Sequence, residues 1–115
     1  MTDTPTVLSG PIGSNLLEDD PSFEEIVVEF VEALANRVHD MEDALRAADF
    51  GKLQTLAHQL KGCGAGYGYP VVSERAANLE QCAKKRVAHD CTTALNEMGE
   101  ICSRIVVRVE PNKSA

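Results

Sequence analysis

The chain has 115 residues, of which 43% are apolar and 4% aromatic, and its formal charge is -7. This length fits one domain with a single core. The acidic charge argues against a nucleic-acid binder, which needs a concentrated Lys and Arg surface. No apolar run approaches the roughly 20 residues of a membrane span, and the amino terminus lacks the basic and apolar regions of a signal peptide. We expect a cytoplasmic protein that binds neither nucleic acid nor membrane.

The first change of pattern along the chain comes at Asp20. Residues 1–19 mix Pro, Gly, Ser and Thr with few periodic apolar positions, which predicts a flexible or loosely docked leader. Asp20 is an N-cap candidate, Pro21 follows it, and a long helix is predicted from there to about Ala48. Its apolar stripe is Phe23, Ile26, Val27, Phe30, Leu34, Val38, Met41 and Leu45.

A second helix begins after the N-cap candidate Asp49. Local rules would end it at Gly62, because glycines alternate from Gly62 to Gly68 and each costs a helix interior about 0.5–1 kcal/mol relative to Ala. We predict instead that it continues to about Tyr67. The glycines would then allow close helix packing on one side and close approach of a partner on the other.

Two more amphipathic segments complete the pattern, at about 70–86 and 90–109, and a polar tail follows at 110–115. Four such segments with short connections predict an all-α fold, an antiparallel four-helix bundle over residues 20–109. A bundle that buries its stripes internally predicts a monomer. The initiating Met and short tails favour a free-standing protein over an excised domain.

The four cysteines show neither a Cys-x-x-Cys pair nor a zinc-finger spacing to histidine. Three of them fall on apolar helical stripes, so we expect buried free thiols and no bound metal. The set is Cys63, Cys82, Cys91 and Cys102.

His58 points away from the apolar side of its helix. At about 100° per residue, that side holds Leu53, Leu56, Leu60, Cys63 and Tyr67. The outer face around His58 holds Gln54, Thr55, Lys61, Gly62 and Ala65. A neutral imidazole in this setting has a free nitrogen lone pair, and a second protein can reach it.

The order of residues from His58 onward is specific. The third and fourth positions after His58 are Lys61 and Gly62, small residues follow, and Tyr67 and Gly68 close the segment. This order resembles the signature of histidine-containing phosphotransfer (HPt) domains, and the resemblance covers about residues 20–109. Cys63 and Gly64 replace the serine or alanine common after the Lys-Gly pair, which exchanges small residues for small residues.

The resemblance implies a phosphorelay intermediate in two-component signalling. His58 would accept a phosphoryl group from a receiver-domain aspartyl phosphate and pass it to another receiver aspartate. The partners would be receiver domains of response regulators or hybrid histidine kinases. No ATP-binding segment exists in the chain, so it would be a phosphotransfer protein and not a kinase. Magnesium is expected from the receiver, since the sequence shows no carboxylate cluster beside His58.

The neighbours of His58 receive roles by the same argument. Lys61 would neutralise phosphoryl oxygens, and Gln54 and Gln59 are weaker candidates for hydrogen bonds to them. Gly62 keeps the approach open. The docking surface would include Thr55, Gly62, Ala65 and Tyr69, with an apolar rim of Ala57, Ala65 and Tyr69.

Two other functions stay open. The chain could be the phosphoacceptor domain of a chemotaxis-type histidine kinase, which has a related His-x-x-Lys-Gly core. It could also be a non-catalytic helical adaptor or a metal-buffering bundle in which His58 is incidental. His39 and His89 lack the pattern around His58, and we expect both at helix surfaces or ends without a role in phosphorylation.

Overall fold

The computed structural model describes residues 10–109, and this part of the chain is helical. The helices are α1 (Asn15–Asp19), α2 (Glu24–Arg46), α3 (Phe50–Gly64), α4 (Pro70–Lys85) and α5 (Ala88–Ser103). Two 3₁₀ turns, Pro21–Phe23 and Ala65–Tyr67, precede α2 and follow α3. The predicted all-α class is confirmed. No helix between residues 10 and 109 is long and apolar enough to cross a membrane.

The long helices pack around one core. α3 lies along α4, α4 lies along α5, and α2 packs on both α3 and α5. The buried side chains of α2 and α5 repeat at helical spacing. They are Val27, Phe30, Leu34, Met41 and Ala44 on α2, and Cys91, Ala94, Leu95, Met98 and Ile101 on α5. α3 and α4, which pack against each other, carry the site described below.

The N-cap predicted at Asp49 is confirmed, whereas Asp20 caps the turn before α2 and not α2 itself, whose N-cap is Phe23. The Oδ1 atom of Asp49 accepts a hydrogen bond from the backbone N–H of Lys52 at 3.0 Å, which opens α3. Asp20 Oδ1 accepts from the N–H of Ser22 at 3.0 Å and caps the 3₁₀ turn that leads into α2. Phe23 and Ile26 were predicted in the α2 stripe, and this is wrong, because they are 40% and 43% exposed. Phe23 precedes the helix proper, and Ile26 lies beside the face that Val27 and Phe30 turn inward.

The last helix ends at Ser103, so the prediction that it runs to Val109 is wrong. Ile105 leaves the helical path and forms an isolated parallel bridge with Ile12. The N–H of Ile12 donates to the Arg104 carbonyl at 2.9 Å, and the N–H of Val106 donates to the Ile12 carbonyl at 2.9 Å. The β-branched residues that extend the apolar pattern here pair with the amino-terminal segment instead.

The segment predicted as a leader is partly docked. Residues 10–19 are described, and within them Leu17 is buried in the core while Ser14 is buried beside it. Residues 1–9 of the predicted leader and the predicted tail at 110–115 lie outside the described residues.

All four cysteines are free thiols. Cys91 is buried as expected, whereas Cys63, Cys82 and Cys102 are only partly buried. Burial raises the pKa of the Cys102 thiol to about 11.

Candidate functional site

The exposed face of α3 carries His58. The helix buries Leu53, Ala57, Leu60 and Gly64, and the His58 side chain, 66% exposed, projects from the other side. The buried face is rotated relative to the predicted one: Leu56 and Cys63 are half-buried. The prediction of Ala57 in an exposed rim is therefore wrong, because Ala57 is fully buried.

A buried carboxylate on α4 contacts His58. The Oε2 atom of Glu80 lies 3.0 Å from Nδ1 of His58. The Oε1 atom of the same group lies 2.9 Å from Nζ of Lys61. The Glu80 side chain is 8% exposed, against 39% for Lys61. One carboxylate thus connects the two residues that the sequence placed one helical turn apart.

The electrostatics of Glu80 follow from these contacts. The hydrogen bond from Lys61, and after it the one from His58, hold the pKa of the Glu80 carboxyl below its ordinary value of 4.5, while burial acts in the opposite direction. Glu80 is ionised near neutral pH and has only acceptors to offer. The proton of a neutral His58 ring therefore lies on Nδ1, which donates to Glu80, and the lone pair lies on Nε2.

Sequence reasoning did not find Glu80 as a site residue. The sequence predicted no carboxylate cluster beside His58, and the structure places a single carboxylate, that of Glu80, in hydrogen-bond contact with it. Glu80 occupies the apolar register of α4, between the buried residues Ala76, Leu79 and Ala83. A carboxylate in such a register must have a cationic or hydrogen-bonding partner, and this is the signal that could have found it. Between residues 10 and 109, no group of three or more His, Cys, Asp or Glu is placed to hold a metal ion.

Two glycines of α3 have opposite surroundings. A Cβ at Gly64 would lie 2.9 Å from Ser73 Oγ and 3.1 Å from Val72 Cγ1, so α3 and α4 approach closely there. A Cβ at Gly62 would meet nothing within 4 Å. Ser73 Oγ also donates to the Lys61 carbonyl at 2.8 Å and accepts from the N–H of Ala65 at 2.7 Å. Gly64 allows the helix contact, and Gly62 leaves the surface beside His58 open.

The predicted polar neighbours of His58 lie on the accessible side of α3. Gln54 is half-buried, while Gln59 and Thr55 are exposed. The Thr55 hydroxyl donates to the Gly51 carbonyl of its own helix at 3.1 Å, so it is engaged within α3. Ala65, in the 3₁₀ turn after α3, is exposed.

The prediction of Tyr69 as a docking residue is wrong. Tyr69 is fully buried, its hydroxyl donates to the Val106 carbonyl at 2.7 Å, and burial raises its pKa to about 12. The helical path ends just before it. Gly68 adopts φ 97°, the N–H of Tyr69 donates to the Gly64 carbonyl, and the N–H of Gly68 donates to the Ala65 carbonyl. These two bonds form a Schellman motif that turns Tyr69 into the core, where a continued helix would have turned it outward.

The other two histidines lie elsewhere. His39 is exposed on α2, within 4 Å of Glu42 and Asp43, its neighbours at the third and fourth positions. His89 is exposed in the first turn of α5. Within residues 10–109, the side-chain contacts of Glu80 go to His58 and Lys61 on α3 and to neither of these two histidines.

Comparison with protein families identifies the class. The chain matches the model of the Hpt domain over residues 25–106 and belongs to that family. Neither the curated proteins nor the solved structures compared with the chain gave a match. Hpt domains carry out histidine phosphotransfer in two-component signalling, interact with receiver domains and have no kinase activity of their own.

Proposed function

We propose that this protein is a phosphorelay intermediate and that His58 is its phosphoacceptor. One observation carries the proposal: the exposed His58 ring is held at Nδ1 by buried Glu80, which leaves the Nε2 lone pair toward solvent. A nucleophile held in one orientation reaches an in-line geometry with a smaller loss of entropy.

The transfer is a displacement at phosphorus. Nε2 of His58 forms a bond to the phosphorus of an aspartyl phosphate on a receiver domain, and the acyl P–O bond breaks. The electron pair of that bond leaves with the aspartate carboxylate. The imidazole gains positive charge as the new bond forms, and Glu80 stabilises that charge from the Nδ1 side. The reverse sequence passes the phosphoryl group to a second receiver aspartate.

Lys61 stabilises phosphoryl oxygens in this proposal. Its ammonium group pairs with Glu80 in the free protein, and it is 39% exposed, so it can turn between the carboxylate and an arriving phosphoryl group. Gln54 and Gln59 are proposed as weaker hydrogen-bond donors to the same oxygens. Magnesium is assigned to the receiver.

The docking surface is proposed to lie around the exposed positions of α3. Gly62 admits the partner because no atom of residues 10–109 fills the space beside it. Thr55 and Ala65 flank it on the same side of the helix. The long helices α2 to α5 are proposed to form an antiparallel four-helix bundle in a monomer, and a cytoplasmic location stays a prediction.

A phosphotransfer assay with point variants tests the proposal. The purified chain is incubated with a phosphorylated receiver domain and magnesium, and the labelled residue is mapped by mass spectrometry. We expect acid-labile phosphate on His58 and none in a His58→Gln chain. The matched controls are His39→Gln and His89→Gln, which should accept phosphate like the parent.

Other outcomes of the assay identify the alternatives. Phosphate on His58 from a kinase domain with ATP, but from no receiver, would favour the phosphoacceptor domain of a chemotaxis-type kinase. No phosphate from either donor, with partner binding retained in the His58→Gln chain, would favour the helical adaptor.

A further inference from the structure

Residues 12–17, called the strap below, run past the carboxyl end of the helix that carries His58. Ser14 is 2% exposed, and its hydroxyl donates to the Tyr67 carbonyl at 2.6 Å. The N–H of Asn15 donates to the Gly68 carbonyl at 2.8 Å. The strap thereby satisfies two carbonyl groups at the end of the helical path, where intrahelical partners run out.

The strap is held on its other side as well. Ile12 pairs with the segment after α5, and the N–H of Ser14 donates to the Val107 carbonyl at 3.3 Å. The Ser14 hydroxyl also accepts from the N–H of Leu17 at 3.3 Å, so it caps α1 and holds Tyr67 at once. Gly68 leaves no space here, because a Cβ on it would meet Ser14 Oγ and the Asn15 nitrogen.

The strap fixes the 3₁₀ turn Ala65–Tyr67, called the docking turn below. Ala65 and Gly66 are exposed, whereas the Tyr67 ring stacks on Phe30 with 4.5 Å between centroids. The docking turn continues the exposed surface of α3 that begins at His58 and Gly62. A displaced docking turn would remove part of the surface that a partner contacts, without moving His58 itself.

We propose that Ser14 is a positioning residue for partner docking, acting through the strap on the docking turn; this rests on the proposed function of His58. If the docking turn is in its correct position for only a fraction of the time, the apparent Kd for the partner is the intrinsic Kd divided by that fraction. The strap therefore controls the affinity for the receiver and not the chemistry at Nε2.

Steady-state transfer from a phosphorylated receiver tests this inference with two strap variants, in the presence of a second receiver that takes the phosphoryl group from His58 so that the chain turns over. Ser14→Ala removes both hydroxyl contacts. Asn15→Pro keeps the Ser14 hydroxyl but replaces the N–H that bonds to Gly68 with a ring carbon. The 2.8 Å approach of the Asn15 nitrogen to the Gly68 carbonyl leaves no room for that carbon, so the strap must shift away from Gly68. We expect KM to rise roughly 2-fold or more in both variants, because each loses at least one buried hydrogen bond, with kcat unchanged. Ser22→Ala is the control, because Ser22 is an exposed serine whose hydroxyl donates to the neighbouring Asp20 and lies outside the strap.

Two further readouts separate this role from simple stabilisation. Amide exchange at Gly68 and Tyr69 should become faster in both variants. Labelling of His58 by phosphoramidate, a small donor that needs no docking surface, should proceed at the parent rate. Unchanged KM despite faster exchange would overturn the inference, and so would slower phosphoramidate labelling. If the parent chain took phosphate from neither donor, the proposed function itself would fail, and the two failures are thus distinguishable.

Discussion

Glu80 Oε2 lies 3.0 Å from His58 Nδ1, although 22 positions separate the two residues. The other oxygen of the carboxylate pairs with Lys61, so a single buried group orients the proposed nucleophile and holds the nearest cation. The hydrogen bond between Glu80 and His58 determines which ring nitrogen faces a partner.

Glu80→Gln should slow phosphoryl transfer to His58. The amide carries no charge to stabilise the imidazole as it becomes cationic, and it does not select one tautomer, because an amide both donates and accepts. We expect a loss of roughly 10-fold in the single-turnover rate, equivalent to about 1.4 kcal/mol in activation free energy. Glu74→Gln, an exposed change on the same helix, should leave the rate unchanged. Equal rates in the Glu80→Gln and parent chains would remove Glu80 from the mechanism.

The same carboxylate predicts a pH dependence of stability. The pKa of Glu80 is lower in the folded chain than its ordinary 4.5, so the unfolded chain binds more protons in the range below that value. The contribution of the Glu80 charge is fully present above pH 4.5 and is lost as the pH falls through the folded-state pKa. Urea unfolding at several pH values should show the parent losing stability relative to Glu80→Gln below pH 4.5. A difference that stays constant with pH, or that favours the parent more in acid, would contradict the assignment.

Alanine at the two neighbouring glycines should change stability in opposite directions. Gly64→Ala places a Cβ against Ser73 and Val72, and overpacking of this kind costs about 1–3 kcal/mol. Gly62→Ala adds a Cβ in open space and should stabilise α3 by up to about 1 kcal/mol through helix propensity. Thermal unfolding of the two variants and the parent measures both changes in stability. Changes of the same sign would show that the α3 and α4 packing described here is incorrect.

A longer side chain at Gly62 should block docking without unfolding the protein. Gly62→Gln has room in the free chain, but its side chain would occupy the surface that a receiver must approach. We expect the Kd for a receiver to rise about 10-fold or more, or about 1.4 kcal/mol in binding free energy, with unchanged far-UV helicity. Gly99→Gln provides a control on α5, where a Cβ meets only Val38, at 4.0 Å. Unimpaired transfer by the Gly62→Gln chain would show that a receiver does not need to approach α3 closely at Gly62.

The fold was predictable where local chemistry decides it. The cap at Asp49 follows from the residue itself. The path of α3 and its 3₁₀ turn to Tyr67 was predicted against the local helix cost of the alternating glycines, and the structure confirms it. The end of α5 was not predictable, because the residues after Ser103 extend an apolar pattern whose partner, Ile12, is far away in the sequence.

The site was predictable in its exposed half only. The exposure of His58 was predictable because His58 lies roughly opposite the apolar side of its helix, even though the buried face is rotated relative to the predicted one. Tyr69 was wrongly predicted to be exposed because Gly68, one residue before it, has a left-handed backbone that ends the helical path. Ala57 was misplaced because a small side chain adds little to an apolar pattern even where packing buries it fully. Glu80 differs from its neighbours in sequence only as a carboxylate in the apolar register of α4, and its contact with His58 required the tertiary structure.

An NMR spectrum of the imidazole nitrogens in the phosphorylated chain shows directly which nitrogen carries the phosphoryl group. We expect phosphorus bonded to Nε2 of His58, with Nδ1 protonated and hydrogen-bonded to Glu80. Phosphorus on Nδ1, or on His39 or His89 in place of His58, would show that Glu80 does not orient the phosphoacceptor as proposed.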